Sequence, residues 1–337
     1  MDTSAPTAPF AERSVSLRLY PHNELDAGAI VTELCLQAGL AFGGGFDGVM
    51  TSEHHGGFAG YLAQPLQLAT FVLDEHPQGW VAACPLLLPL RPTALVAEEV
   101  AWLHARHPGR VGLGVAAGAL PLDFEAAGLD PADAVPVFKA ELGRLVAMLR
   151  GEALGPVEGD PALRACRDHP VPVLSAAVAT AAATRAARCG AGLLLEGMSP
   201  VGRLARLTDA FDAAGGSRAK VLIRRVWVGE LPSGLVERQR AVYDSYSGAT
   251  ATFGDDQTVA AADPGELVDR LVDLVATTGV DALNLRVHLP GMAPGAVREQ
   301  IELLGRAVVG SIVPPGVSRI AVHRCNNGIE HLFPLRP

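Results

Sequence analysis

Short runs rich in Val and Leu alternate along the chain with stretches where apolar residues recur every three or four positions. The first pattern fits buried strands and the second fits helices with one apolar face. Together they predict strands over 15–20, 46–52, 80–88, 110–116, 171–177, 191–196, 220–229 and 281–289. Helices are predicted over 26–41, 64–76, 93–106, 131–150, 180–189, 200–214, 264–278 and 294–309. Leu142, Leu145, Val146 and Leu149 make one helical stripe, and Leu267, Leu271, Leu274 and Val275 make another. Pro131, Pro200, Pro264 and Pro294 stand at predicted helix starts, where a missing N–H costs little. Eight strand–helix pairs predict a (β/α)8 barrel, with a doubly wound sheet as the alternative.

A barrel carries its chemistry on the segments that follow its strands. Here those are His22, Glu53-His54-His55, 85–91, 116–123, 175–180, 196–200 and His288. Segment 230–263 is too long for an ordinary strand-to-helix loop. A helix predicted over 235–246, carrying Tyr243, makes it either a lid over the site or a solvated insertion. Residues 1–13 are expected to be loose, 14–310 to form one domain, and the tail 311–337 has no period that assigns it a role.

Composition narrows the function classes. The 337 residues are 49% hydrophobic, enough for a large core. A net charge of −9 argues against a nucleic-acid backbone as partner. The most apolar runs are broken by proline and fall short of the roughly 20 residues that span a bilayer. The N-terminus has no basic start followed by an apolar centre, so a cytoplasmic protein is expected. Five cysteines, an odd count without CxxC, suit neither zinc nor a disulfide framework.

The strongest chemical signal is Glu53-His54-His55, where a strand gives way to a loop. A histidine is the natural general base near neutral pH, and a neighbouring carboxylate orients it. Packing is the competing reading for at least one of the two imidazoles. Metal ligation by the pair is disfavoured, because adjacent strand residues point to opposite faces. A metal-dependent hydrolase using His54, His55 and Asp123 stays open as a rival. Gly112-Leu113-Gly114-Val115-Ala116-Ala117 fits the dinucleotide fingerprint in letters, but its glycines lie inside a strand pattern instead of in a turn that opens a helix. Glycines there are expected to clear space for a flat ligand. Asn284, Arg286 and His288 alternate with apolar residues and so share one face. An interior Arg286 then needs an anionic partner from protein or ligand, and Arg224 raises the same question. Thr180 and Ser199 precede helices and suit either N-caps or a phosphate site.

Taken together, these residues resemble the bacterial luciferase-like superfamily of flavin- and deazaflavin-dependent oxidoreductases. Gly45-Phe46-Asp47-Gly48-Val49 leading into Glu53-His54-His55 is similar to that family's second strand and site loop. Ala97-Glu98-Glu99 followed by Pro108-Gly109-Arg110-Val111-Gly112-Leu113-Gly114, and then Asp123-Phe124 and Gly128, extend the likeness. The resemblance implies a barrel with reduced FMN, or coenzyme F420, across the strand C-termini and a small-molecule substrate. It implies His54 as the catalytic residue, with Glu53 and His55 beside it. Ala82 and Ala83 would lie behind the ring, often with a non-prolyl cis bond. Ala116, Gly118, Asp123, Thr180, Ser199 and Arg286 complete the expected cofactor surface, and His22, His288 and Tyr243 the substrate side. A separate flavin reductase and a homodimer are implied as partners. The family's reactive cysteine and phosphate-binding arginine after strand four are here Ala116 and Ala117. That departure leaves F420 hydride transfer, or a barrel that binds flavin without catalysis, as alternatives to a monooxygenase.

Overall fold

In the computed structural model, which describes residues 7–247 and 257–309 without the side chains of 242–247, eight parallel strands close into a barrel. They are β1 (Val15–Arg18), β2 (Gly48–Thr51), β3 (Trp80–Leu87), β4 (Val111–Ala116), β5 (Val173–Ala176), β6 (Gly192–Leu195), β7 (Lys220–Val228) and β9 (Ala282–Arg286). Each pairs with the next, β6 pairs with β7, and β9 pairs with both β7 and β1, so no barrel edge is left open. The short β8 (Val259–Ala261) adds to the C-terminal end of β7 outside the cylinder. The tail 311–337 and the Tyr243 side chain lie outside the described residues.

Period two divides each strand between two apolar layers. Val15, Leu17, Val49, Val81, Ala83, Leu113 and Val115 face the helices. Met50, Trp80, Ala82, Cys84, Leu174, Leu194, Val221 and Ala282 fill the interior. The helices that cover the outside include α1 (Ala27–Gly43), α2 (Pro65–Glu75), α3 (Thr93–Arg106), α5 (Ala134–Met148), α7 (Thr180–Arg188), α8 (Val201–Ala213), α10 (Pro264–Thr278) and α11 (Pro294–Leu304). Pro264 and Pro294 occupy first helical positions as expected, whereas Pro200 is the N-cap of α8.

Several local expectations change. The N-terminal segment is tied down from residue 7 onward: Phe10 is buried and meets Trp80 edge-on at 5.2 Å, closing the N-terminal mouth. The 131–150 helix divides into a 3-10 turn (Pro131–Asp133) and α5. Two short helices were missed, α4 (Pro121–Ala127) and α6 (Pro161–Ala165), because neither is long enough to show a period. The strand glycines clear space for protein, not ligand. A Cβ on Gly112 would meet the Phe10 ring at 2.7 Å, and one on Gly114 would meet Cys84 Sγ at 2.0 Å. The cis peptide of β3 is the prolyl bond Cys84–Pro85, not a bond at Ala82–Ala83. The helix of the insertion, α9, runs over Ser233–Ser247.

Candidate active site

The loop after β2 is anchored by its backbone before its side chains act. Glu53 N–H donates to Pro85 O at 3.0 Å and His54 N–H to Leu62 O at 2.9 Å. The two imidazoles are then set by different acids. His54 Nδ1 lies 2.8 Å from Asp123 Oδ2, and the His55 backbone N–H donates to Asp123 Oδ1 at 2.7 Å. Asp123 is fully buried in the first turn of α4, so both its oxygens are committed to this loop. His55 Nε2 turns instead to Glu53 Oε1 at 3.3 Å. Glu53 also accepts from Leu87 N–H, with Arg91 3.7 Å away. Burial pushes the Glu53 carboxyl up, against the pull of the Leu87 N–H, Arg91 and His55. A histidine whose Nδ1–H is held by a carboxylate keeps its Nε2 lone pair for chemistry.

His54 lines a cavity of about 210 Å³ at the C-terminal mouth of the barrel. Its β5–β6 side is small and apolar, with Ala176, Ala177, Leu194, Gly197 and Met198. Its other side, from β1, β7 and β9, carries Arg18, Arg225, Arg286 and Tyr20. The Arg286 guanidinium stacks on the Tyr20 ring at 4.4 Å. Tyr61 packs edge-on against both His54 (4.5 Å) and Tyr20 (5.2 Å). Burial raises the Tyr20 phenol, yet Arg286, Arg18, the Tyr61 hydrogen bond and Arg225 bring it below its ordinary value. A larger cavity, about 510 Å³, lies at the opposite mouth around Phe10 and Lys220, away from these groups.

The family model of luciferase-like monooxygenases matches residues 21–282, most of the barrel. The chain belongs to the luciferase-like monooxygenase family. A monooxygenase from Streptomyces bottropensis shares its fold at a TM-score of 0.70 and 20% identity, covering 89% of this chain and 100% of that one. The oxygenating constituent of 3,6-diketocamphane monooxygenase from Pseudomonas putida, solved with FMN, gives 0.70 and 18%, covering 90% and 99%. An F420-dependent secondary alcohol dehydrogenase gives 0.68 and 17%, covering 88% and 98%. No curated protein matches the chain.

Within this luciferase-like barrel, the expected site residues separate into groups. His54 and Arg286 line the cavity, while Glu53 and His55 stand behind the loop. Asp123, expected on the cofactor, is the partner of His54. His54, His55 and Asp123 do not converge as a metal site would require, since the His55 ring turns to Glu53. Among the described residues no group of three or more His, Cys, Asp or Glu is placed to hold a metal ion. Ala82 sits in the interior layer and Ala83 in the helix-facing layer, and neither lines the cavity. Ala116 ends β4, and Gly118 follows it with φ +85°, where a Cβ would meet the Phe124 ring at 3.0 Å.

Neither Thr180 nor Ser199 is an N-cap. Ala179 and Pro200 hold those positions, Thr180 is exposed, and Ser199 Oγ donates to Glu196. His22 is wired into the wall, with Nδ1 3.1 Å from Met292 O and Nε2 3.0 Å from Gln37 Nε2. His288 is buried between Tyr20, stacked at 5.7 Å, and His22, edge-on at 4.7 Å. Arg224 points away from the cavity, donating to the carbonyls of Gly197 and Ser199, and its neighbour Arg225 takes the interior place. Arg18, Tyr20, Ser52, Tyr61 and Arg225 were missed. For Ser16, Arg18 and Tyr20 the signal was present: they alternate with Leu17 and Leu19 just as Asn284 and Arg286 alternate with Leu283 and Leu285.

Proposed function

We propose that the protein is a monooxygenase of the luciferase type, using reduced FMN and O2 on a small organic molecule, with His54 as its acid/base. The observation that carries this reading is the buried Asp123 holding His54 at the rim of the strand-end cavity. The donor set fits a flat heterocycle: an apolar, small-residue wall on the β5–β6 side faces guanidinium and hydroxyl donors across the cavity. Reduced flavin bound there supplies the electrons that activate O2. Asp123 keeps the His54 proton on Nδ1, so Nε2 is the atom that takes a proton from the substrate and returns it. Tyr61 and Phe58 pack on the His54 ring, and Pro85 lines the cavity beside it. Helix α9, the described part of segment 230–263 after β7, serves as the lid, since Gln239 on it binds Arg225 of the cavity.

A separate reductase would deliver the reduced flavin in the cytoplasm. The homodimer would form through α1–α3, on which Leu36, Phe71, Leu95 and Trp102 are each exposed. A second reading, hydride transfer with F420, is favoured by one observation: Ala116 and Ala117 leave no cation after β4 for the FMN phosphate. Anaerobic titrations with reduced FMN and with F420 separate the two. Reduced FMN is expected to bind and then to consume O2. Binding of F420 alone would replace oxygen chemistry by hydride transfer, and binding of neither would leave a non-catalytic barrel.

A further inference from the structure

We propose that the molecule oxidised here is an organic anion, a small carboxylate, seated by Arg18 on the charged side of the cavity; this specifies the substrate of the reading above. Arg18 is 2% exposed, at the base of the cavity. Three of its N–H groups are spent on neutral acceptors: Nε on Asn284 Oδ1 at 2.8 Å, Nη1 on Ser52 Oγ, and Nη2 on Cys84 O at 2.8 Å. A guanidinium has five such donors in a fixed fork, so two remain. Among the described residues no carboxylate lies within 4.0 Å of Arg18. A buried cation without an anion is costly and persists where a ligand supplies the charge.

The bonds to Asn284, Ser52 and Cys84 come from three different strands or their ends, so the fork is held before any ligand arrives. A planar, immobile guanidinium matches a carboxylate in two parallel hydrogen bonds. The surroundings reinforce the charge. Arg225 and Arg286 line the same cavity, and Glu196 is the acid among its described lining residues. Glu196 is turned onto its own loop, accepting from Met198 N–H at 2.6 Å and from Ser199 Oγ. Against the effect of burial, Arg286, Arg18 and Arg225 pull the Tyr20 phenol below its ordinary value. The carboxylate would therefore sit toward β1 and β9, leaving the apolar β5–β6 side for the ring and the reacting carbon near His54.

The test is calorimetric titration of the cofactor-free full chain with acetate, benzoate and succinate, each beside its neutral amide. At least one acid is expected to bind about tenfold or more tightly than its amide. Arg18→Gln should lose about that factor for the acid and leave the amide unchanged. Acid and amide binding alike, or no acid binding, overturns the proposal. If the variant does not fold, tyrosinate absorbance of the unaltered protein decides: the bound acid must move the Tyr20 titration to higher pH, and no movement overturns it. Repeating the titration with reduced FMN or F420 bound separates substrate from cofactor. Persistence of acid binding supports a substrate site, and competition assigns Arg18 to the cofactor and overturns it. If neither cofactor binds, the monooxygenase reading fails while the acid–amide comparison still reports on Arg18.

Discussion

Replacing Asp123 by Asn probes the geometry that orders the candidate site. Asp123 accepts twice, from the His55 backbone N–H at 2.7 Å and from His54 Nδ1 at 2.8 Å. Asparagine has one acceptor oxygen and one donor amide. The backbone N–H can only donate, so it keeps the oxygen, and the amide falls opposite His54 Nδ1. His54 Nδ1 must then accept, and its proton moves to Nε2, the atom that faces the chemistry. One charge-assisted hydrogen bond in a fully buried place is lost, which costs roughly 1.5–3 kcal/mol of stability. Losing the base at Nε2 lowers turnover by about 100- to 10,000-fold. Nitrogen-resolved NMR of the imidazole reads the tautomer, and urea unfolding reads the stability. A variant that keeps the proton on Nδ1 and unfolds at the parent midpoint would show that Asp123 does not orient the ring, and the acid/base assignment of His54 would lose its support.

Three further outcomes follow from the packing and the electrostatics. Gly114→Ala places a methyl 2.0 Å from Cys84 Sγ and 3.0 Å from its Cα, so it should destabilise by about 1–3 kcal/mol in thermal unfolding, partly recovered when Cys84 is also made Ala. Phe10→Ala removes the edge-on partner of Trp80 and should cost about 3–5 kcal/mol, a value near zero showing that the N-terminal plug is not part of the folded core. Burial, His22, Arg286 and Arg225 hold the His288 imidazole well below its ordinary value, so it is neutral in the fold. The unfolded chain then binds the extra proton: the contribution is intact above about pH 6.5 and is lost as pH falls below it. Urea midpoints between pH 5 and 7.5 should rise with pH, with a shallower slope in His288→Phe.

How much was legible depends on distance along the chain. The barrel could be read because every strand and helix carries its own period, and eight repetitions leave few topologies. Glu53-His54-His55 was visible for the same reason, as a polar trio at the end of an apolar run. Where one residue of phase mattered, the reading slipped: Arg224 was placed in the interior that Arg225 occupies, because a strand flips every side chain with a single step. Ala82 and Ala83 suffered likewise, one inside and one outside.

Local composition, then, determined the closed cylinder, the mouth where chemistry belongs and the histidine at its rim. Which acid serves that histidine was decided only by folding, since Asp123 is 69 residues from His54 and reaches it through a seven-residue helix. The same holds for Arg18. In sequence it is a lone cation between two leucines, and only closure of β9 onto β1 brings Asn284 to its side from 266 positions away. Side-chain period is a property of neighbours, whereas charge balance in a buried cavity is a sum over strands that meet only when the sheet closes.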